Sequence, residues 1–507
     1  MGFDTLSGVM VVSEKSASFE ELTQPVPGVK AAGDFSAQIT GVAYDSRLVQ
    51  PGDVFVAVAG FQADGHDFAK DAVEKGAAAL VVERKIEGVS PEVPQFVTSS
   101  GREALSRVGD AFYGHPSGEL ALLGVTGTNG KTTTASLIDA ILRSSGRRTG
   151  LMGTIHYRVG DEVFEEPRTT SEGPDLQRYL RRMADAGASH AVMEVSSHGL
   201  ALDRLLGCEF QTAVFTNLTQ DHLDFHGDME SYFQAKLKLF KEFSPANSIV
   251  NIDDAYGKRI AEEARGQVWT YALGARANLG VENLLSSSSG MNFQMLTPAG
   301  SVNVETALIG RHNLGNILAA SATCLSQGLT IDDVAEGIAS LENIPGRFEK
   351  VDMGQPFLVV VDYAHTEDAL ARVLEFARPI TEGRILTLMG CGGDRDRKKR
   401  PLMAAAALQA SDYVVMTSDN PRTEDPASIL REVESGAVLV TASNGRWRSI
   451  LDRREAIRAI VAEAREGDVV VIAGKGHETY QILGTERTPF DDREEARVAL
   501  RLAGYEK

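Results

Sequence analysis

The chain is poor in cysteine: Cys208, Cys324 and Cys391 are its only three among 507 residues, at irregular spacing. That excludes a disulfide framework and a zinc site of the usual Cys-x2-Cys spacing, and it fits a reducing compartment. Long apolar runs are missing as well; none approaches the ~18 residues of a membrane span. The first residues lack the basic, apolar and small-residue succession of a secretory signal, so the expected location is the cytoplasm. Basic residues are outnumbered, 51 against 70 acidic ones, for a formal net charge of −19. Such a chain is no general nucleic-acid binder. An anionic ligand must be met by a local cationic cluster, because the overall field repels it. Arg395, Arg397, Lys398, Lys399 and Arg400 form one such cluster, which alone reads equally as the basic start of a solvated helix. No internal repeat of fixed period is present. The composition, 43% hydrophobic, is that of globular material, and the length predicts roughly three domains.

Glycine, by contrast, is placed tellingly. Gly124-Val-Thr-Gly-Thr-Asn-Gly-Lys131-Thr132-Thr133 follows the apolar run 120–125 and precedes a helix-like stretch, 132–143. A glycine-rich loop between strand and helix turns backbone N–H groups toward one point, and the helix N-terminus adds partial positive charge. Lys131 can reach outer phosphates and Thr132 can place a hydroxyl on Mg²⁺. The strict Gly-x4-Gly-Lys-Thr spacing is not met, since Val125 stands where the first Gly belongs. The reading is an ATP or GTP site.

Along the chain, residues 54–58 and 78–82 are strand-like, and 110–118 reads as a linker into the loop strand. Residues 190–195, 212–217 and 248–252 are candidate strands, 229–243 a helix, and 270–305 a polar, peripheral hairpin. A second boundary falls at Ile344-Pro-Gly-Arg347. Beyond it strands at 357–363, 384–389, 413–417 and 468–473 alternate with helices at 367–376, 401–409, 427–434 and 453–465. That alternation predicts a mostly parallel, doubly wound sheet. Asp362-Tyr-Ala-His365, Gly390-Cys-Gly-Gly-Asp-Arg395, Asp419-Asn-Pro-Arg422 and Gly474-Lys-Gly-His-Glu478 all follow predicted strands. The carboxyl edge of an open α/β sheet is where ligands bind.

Glu194, ending the strand 190–195, can hold Mg²⁺ in the manner of a Walker B acid. Asp221, His222, Asp224 and His226 could support a second metal, although Mg²⁺ prefers oxygen to imidazole. Asn313 is a plausible helix cap or base contact. Arg347, at the boundary, could point back at a terminal phosphate as an arginine finger does. Nothing in its spacing singles out Lys236.

Gly127-Thr-Asn-Gly-Lys-Thr132, Glu194-Val-Ser-Ser-His-Gly199, Asn217 with Asp221-His-Leu-Asp224, Gly310-Arg-His-Asn313, Gly346-Arg-Phe-Glu349 and Asp362-Tyr-Ala-His365 together resemble the Mur ligase family. Order and spacing match over nearly the whole chain, including Asp45-Ser-Arg47 and Phe61-Gln62-Ala63-Asp64-Gly65. Within the family the chain is most similar to members that add the third residue of the peptidoglycan stem peptide.

The resemblance implies an α/β protein of three domains: a small uridine-nucleotide domain at 1–110, a central P-loop-type ATPase at 111–345 and a Rossmann-like amino-acid domain at 346–507. It implies an amide ligase working through an acyl phosphate, with ATP as co-substrate, Mg²⁺ as cofactor, small-molecule partners only and a monomeric chain. Gly127, Thr128, Asn129, Gly130, Lys131, Thr132, Thr133, Asn313, Arg347 and Asp362 would contact ATP. Tyr44, Ser46, Phe61, Gln62 and Ala63 would contact the UDP end of the acceptor, and Thr169, Thr170, Ser196 and Arg204 its muramoyl dipeptide. A Gln common two residues before that Arg is Leu202 here. Lys236 matches a lysine that family members carry as a carbamate, an oxygen ligand that would join Thr132, Glu194 and His222 at the metal. Lys131, Lys236, His222, Glu194 and Arg347 are thus the implied catalytic set.

In the family, Asp-Asn-Pro-Arg marks enzymes for meso-diaminopimelate; here it is Asp419-Asn420-Pro421-Arg422. Arg395, Gly474 and Glu478 match further contacts to that amino acid. Diaminopimelate carries a second carboxylate at its far end, which a planar guanidinium holds bidentately. Lysine has none, and polar mismatch of this type discriminates by about 10⁴-fold. Four alternatives stay open: an L-lysine-adding ligase of the family, a folylpolyglutamate synthase, a non-ligating ATP-driven conformational NTPase, and a non-catalytic sugar-nucleotide binding module.

Overall fold

The structure, a computed structural model, describes residues 16–61, 63–165, 168–287, 290–440 and 446–506. The chain divides into two compact units: Met1–Gly124, Arg147–Ala213 and Ala235–Ala246 form one, and Val125–Gly146, Val214–Gln234 and Asn247–Lys507 the other.

The first unit holds a five-stranded sheet in the order Gly28–Ala32, Gln95–Thr98, Ala79–Val82, Asp53–Val56, Gly41–Ala43. All neighbours are parallel except Gly28–Ala32 on Gln95–Thr98. Side chains alternate across a strand, so Val54 and Val56 join Leu105 and Phe112 of the helix Gly101–Tyr113 in one core, while Phe55 joins Ala69 and Ala72 in another. A second sheet has eight strands, in the order Glu162–Phe164, Tyr157–Val159, Thr149–Met152, His190–Glu194, Ala121–Thr126, Phe210–Phe215, Asn247–Asn251, Gln267–Tyr271. Two of its strands, Ala121–Thr126 and Phe210–Phe215, contain the unit divisions Gly124/Val125 and Ala213/Val214.

In the second unit the C-terminal sheet has six strands in the order Glu349–Lys350, Leu358–Asp362, Val469–Ala473, Ile385–Cys391, Tyr413–Ser418, Trp447–Ser449. The first pair is antiparallel and the rest parallel. Leu-Val-Val-Val-Asp and Val-Val-Val-Ile-Ala are buried along their whole length, as interior parallel strands covered on both faces must be. Val360 faces the helices Glu367–Ala377, Lys399–Ala410 and Pro426–Glu434. Val359 and Val361 face Arg453–Glu463 and Asp492–Leu502. The α/β class and doubly wound arrangement expected from the alternation are present, with the edge strands Glu349–Lys350 and Trp447–Ser449 and the helix Asp492–Leu502 added to the elements foreseen.

Three expectations need correction. Residues 110–113 belong to the helix Gly101–Tyr113, which stops at Gly114 in the left-handed region (φ 72°), so the connection starts there. The polar stretch at 270–305 is a three-stranded antiparallel sheet, Gly280–Ser287, Gly290–Thr297 and Gly300–Thr306, rather than a single hairpin. Asn313 is not a helix cap: the helix Arg311–Ser326 starts after Gly310, which offers no side chain. The three cysteines are free of disulfides and buried, and burial pushes the Cys391 thiol up to about 12. No described helix is long and apolar enough to cross a membrane.

Arg453 and Asp492 form a bidentate pair (2.8 and 2.7 Å) with both side chains fully buried. Arg453 also donates to Ser418 O (3.3 Å) and Ala473 O (3.0 Å), tying the ends of two strands. Asp492→Ala strands a buried charge, and is expected to cost about 3–5 kcal/mol in denaturant unfolding. The joint replacement Arg453→Met with Asp492→Leu is expected to recover most of that loss.

Candidate functional site

The phosphate-type loop lies at the amino end of the helix Lys131–Ser144, in the second unit. Gly127 (φ 149°) and Gly130 (φ 87°) take conformations that side chains rarely adopt, and a Cβ at either would strike Thr216 Oγ1 or Asn316 Oδ1. The loop is clamped by Asn217: its carbonyl accepts from Thr128 N (2.9 Å), its Oδ1 from Asn129 N (3.0 Å), and its Nδ2 donates to Asn129 O (3.0 Å). Two of the amides expected to face phosphate therefore hold the loop's own shape. Lys131 Nζ folds back onto Gly127 O (2.9 Å) and Thr128 O (2.8 Å). Thr132 and Thr133 are buried in the first helical turn.

Arg347 converges on this loop. Its Nη2 donates to Thr132 Oγ1 (3.0 Å) and its guanidinium lies 4.7 Å from the Tyr363 ring centre. Its Nε is buried without a hydrogen-bond partner, a donor still available to an anion. Asp362 fixes the segment, accepting from Phe348 N and Ala364 N (both 2.7 Å). Burial raises its pKa, and Arg347 opposes the shift. Both oxygens are thus engaged by main-chain amides, a positioning role that the sequence did not disclose. Asn313 is likewise occupied: its Nδ2 donates to Ile309 O (2.8 Å) and its Oδ1 accepts from Asn316 (3.0 Å).

His222 sits in the left-handed region (φ 53°) with Nε2 at 3.4 Å from Asp221 Oδ2. Burial would raise Asp221, but His222, His365 and Lys131 hold it below the usual carboxylate range. Asp368 was missed entirely. It accepts from Asn129 Nδ2 (3.2 Å) and Thr219 Oγ1 (3.0 Å). An acidic residue in a first helical turn looks like an ordinary dipole partner, so nothing local marked it.

The four polar segments of the C-terminal sheet do share one edge, because their strands are parallel neighbours. Asn420 Nδ2 donates to Glu478 Oε2 (2.9 Å), and the fully buried Lys475, also unforeseen, donates to Asn420 Oδ1 (3.1 Å) and Glu478 Oε2 (2.8 Å). Burial raises Asp419, but Lys475 and Arg453 pull it below the usual range. Gly474 (φ 118°) would bring a Cβ to 2.9 Å from Asp419 Oδ2. Pro421 O accepts from Glu424 N (3.1 Å). Arg422 (φ 52°) donates from Nη1 to Gly393 O (2.8 Å). Arg395 lies on an exposed loop: partial desolvation lowers its pKa, and the Arg422 charge lowers it further. Two neighbouring guanidiniums make a place for a carboxylate.

In the first unit Thr169, Thr170, Ser196, Arg204 and Glu194 come together. Glu194 accepts from Thr154 N (2.8 Å) and Thr154 Oγ1 (3.0 Å), and that hydroxyl meets Thr169 Oγ1 at 3.0 Å. Thr170 Oγ1 donates to Glu194 O and accepts from Ser196 N (both 3.0 Å). Arg204 donates to Thr170 O (2.9 Å) and pairs with Glu172 (2.7 Å), with its Nε buried and unpartnered. Thr154 and Glu172 were unforeseen. Tyr44 and Ser46 follow the strand Gly41–Ala43, and Phe61 and Ala63 follow its parallel neighbour Asp53–Val56, so they share an edge. Tyr44 donates to Asp175 (2.5 Å), Ser46 O accepts from Lys75 (2.7 Å), Ala63 O accepts from Gly60 N (2.9 Å), and Phe61 is exposed beside Arg102 (5.5 Å). Gln62 lies outside the described residues.

The implied metal ligands divide between the units, Thr132 and His222 in the second, Glu194 and the buried Lys236 in the first. Among the described residues no three His, Cys, Asp or Glu side chains form a ready metal cluster. The hydroxyl and carboxylate suit Mg²⁺, which takes one or two carboxylates plus substrate phosphates rather than a full protein cage.

Comparison with known proteins matches three family models: "Mur ligase family, catalytic domain" over residues 38–113, "Mur ligase middle domain" over 125–324 and "Mur ligase, glutamate ligase domain" over 346–476. The chain is 46% identical to the UDP-N-acetylmuramoyl-L-alanyl-D-glutamate--2,6-diaminopimelate ligase of Geobacillus kaustophilus (strain HTA426), over 95% of this chain and 99% of that one. It is 48% identical to the ligase of the same name from Solibacter usitatus (strain Ellin6076), over 92% and 94%. A solved structure of a ligase so named is 35% identical, with a TM-score of 0.69 over 97% of this chain and 100% of that one.

Gly127→Ala forces strain of order 1–3 kcal/mol at the loop. Calorimetric titration with ADP is expected to show affinity weakened by about one to two powers of ten, with the far-ultraviolet circular dichroism unchanged.

Proposed function

The chain belongs to the Mur ligase family, and we propose that it joins meso-2,6-diaminopimelate to the D-glutamyl γ-carboxylate of UDP-N-acetylmuramoyl-L-alanyl-D-glutamate, at the cost of ATP. The observation that carries this reading is the pair Arg395 and Arg422, set beside Asn420, Lys475 and Glu478 on one sheet edge. Two cations suit the distal carboxylate of diaminopimelate, and Glu478 and Asn420 suit the ammonium of the same amino-acid centre. Lysine would leave the guanidiniums unpaired.

A carboxylate is a poor electrophile, so the γ-phosphoryl group of ATP first passes to it, giving an acyl phosphate and ADP. The neutral amine of diaminopimelate then attacks the acyl carbon, a tetrahedral intermediate forms, and phosphate leaves as the amine proton is lost. Lys131 would leave its two loop carbonyls for the phosphates, and the orphaned Arg347 Nε would complete the charge stabilisation. Bound Mg²⁺ would screen the β- and γ-phosphate charges, with Thr132, Glu194, His222 and a carbamylated Lys236 as its candidate holders. Thr169, Thr170, Ser196 and Arg204 would present the dipeptide, and Tyr44, Ser46, Phe61, Gln62 and Ala63 the uridine end. Water must be excluded while the acyl phosphate exists.

Separate family matches on three segments support a division into domains near 1–110, 111–345 and 346–507. A cytoplasmic monomer acting on small molecules fits the same reading.

ADP release assayed with the UDP-muramoyl dipeptide is expected with diaminopimelate, weakly with lysine, and not without an amine. Turnover with lysine equal to that with diaminopimelate would sink the substrate assignment. Lys131→Ala is expected to lower kcat by 10²–10³ or more, about the loss seen for a single transition-state donor. Arg422→Ala is expected to raise the KM for diaminopimelate about 30-fold or more, leaving the KM for ATP nearly unchanged.

A further inference from the structure

Arg400 is fully buried in the first turn of the helix Lys399–Ala410. Everything about that placement is unfavourable in isolation. A cation at a helix N-terminus opposes the helix dipole, a buried guanidinium loses its hydration, and its Nε has no hydrogen-bond partner. Its other nitrogens explain the position. Nη1 donates to Glu424 Oε2 (3.0 Å) and Glu432 Oε2 (2.8 Å); Nη2 donates to Glu424 Oε1 (2.7 Å) and Gly392 O (3.1 Å). Glu424 Oε1 in turn accepts from Asp394 N (2.6 Å). The Asp394 carboxylate accepts from Thr423 N (3.1 Å) and Thr423 Oγ1 (2.8 Å). Gly393 N donates to Asn420 O (2.9 Å), and Arg422 Nη1 to Gly393 O (2.8 Å). The loop carrying Arg395 and the loop carrying Arg422 are thus stitched together, with Arg400 beneath the seam. Its bidentate bond holds the Glu424 carboxyl down at about 2, so the ionic link persists throughout the assay range.

We infer that Arg400 is a positioning residue for amino-acid selection: through Glu424 and Gly392 it sets the spacing of Arg395 and Arg422, and so the fit to a distal carboxylate. The inference rests on the reading proposed above. It predicts an effect on one substrate only. Arg400→Met keeps the volume, and the two glutamates it releases are partly exposed (24% and 29%), so they can be solvated in place. The variant is expected to keep its circular dichroism and a melting temperature within a few degrees. Its KM for diaminopimelate is expected to rise ~10- to 100-fold, as small misplacements do. The KM for ATP and for the UDP-muramoyl dipeptide should stay within about twofold, and the preference for diaminopimelate over lysine should shrink. Arg400→Lys, which restores the charge but not the fork, should recover part of the loss. A parallel rise for all three substrates, or an unchanged diaminopimelate KM in a folded variant, overturns the inference. Should Arg400→Met fail to fold, Glu424→Gln carries the same test from a partly exposed position. If Arg422→Ala loses diaminopimelate while Arg400→Met does not, this inference alone fails. If the unmodified enzyme makes no use of diaminopimelate, the parent reading fails with it.

Discussion

Interior parallel strands leave no room for chemistry along their length. In the C-terminal sheet every residue of Leu358–Asp362, Ile385–Cys391 and Val469–Ala473 is buried, and both faces are covered by helices. Backbone hydrogen bonds consume the strands' polar groups, and apolar packing consumes their side chains. Polar function is therefore pushed to the ends. Because the strands run in parallel, one set of ends gathers on one edge, and helix amino termini begin there as well. Asp362, Asp419, Gly474 and the loop after Cys391 occupy that edge for a topological reason.

Much of the visible site is occupied in holding itself in shape. Asn217 spends its side chain on the phosphate-type loop, Asp362 on the main chain around Arg347, and Arg400 and Glu424 on the loops of Arg395 and Arg422. A flexible ligand-binding loop would have to be ordered on binding, at about 1–2 kcal/mol per residue. Hydrogen bonds that order it beforehand lower that cost. Left-handed backbone at Phe348, Asp394 and Arg422 belongs to the same scheme: strain is tolerated where the surrounding bonds over-determine the conformation.

Charge is distributed with equal economy. A chain with a net charge of −19 places Lys131 at a helix start and Lys475 just after a strand. Arg204 is paired with Glu172, Lys475 with Glu478, and Lys131 with two carbonyl oxygens. Each of these cations has an internal partner. Such pairing offsets part of the cost of burying each charge.

The sequence by itself determined the class of fold, the position of the glycine loop and the rank order of the polar loops. Those depend on local period, turn chemistry and short motifs, which survive in one dimension. It also singled out Arg347, Glu194 and the Asp419–Arg422 segment. Only the tertiary structure decided which of these are spent on support and which face outward. Asp368, Thr154 and Glu172 had no local signature, and the motif and basic run that contain Lys475 and Arg400 did not disclose their roles, since an acid in a helical turn or a basic residue in a basic run looks solvated until its neighbours are known. Most of their partners lie tens to hundreds of residues away, as from Asn129 to Asp368, and a hydrogen bond between distant segments is a property of packing that spacing along the chain does not encode.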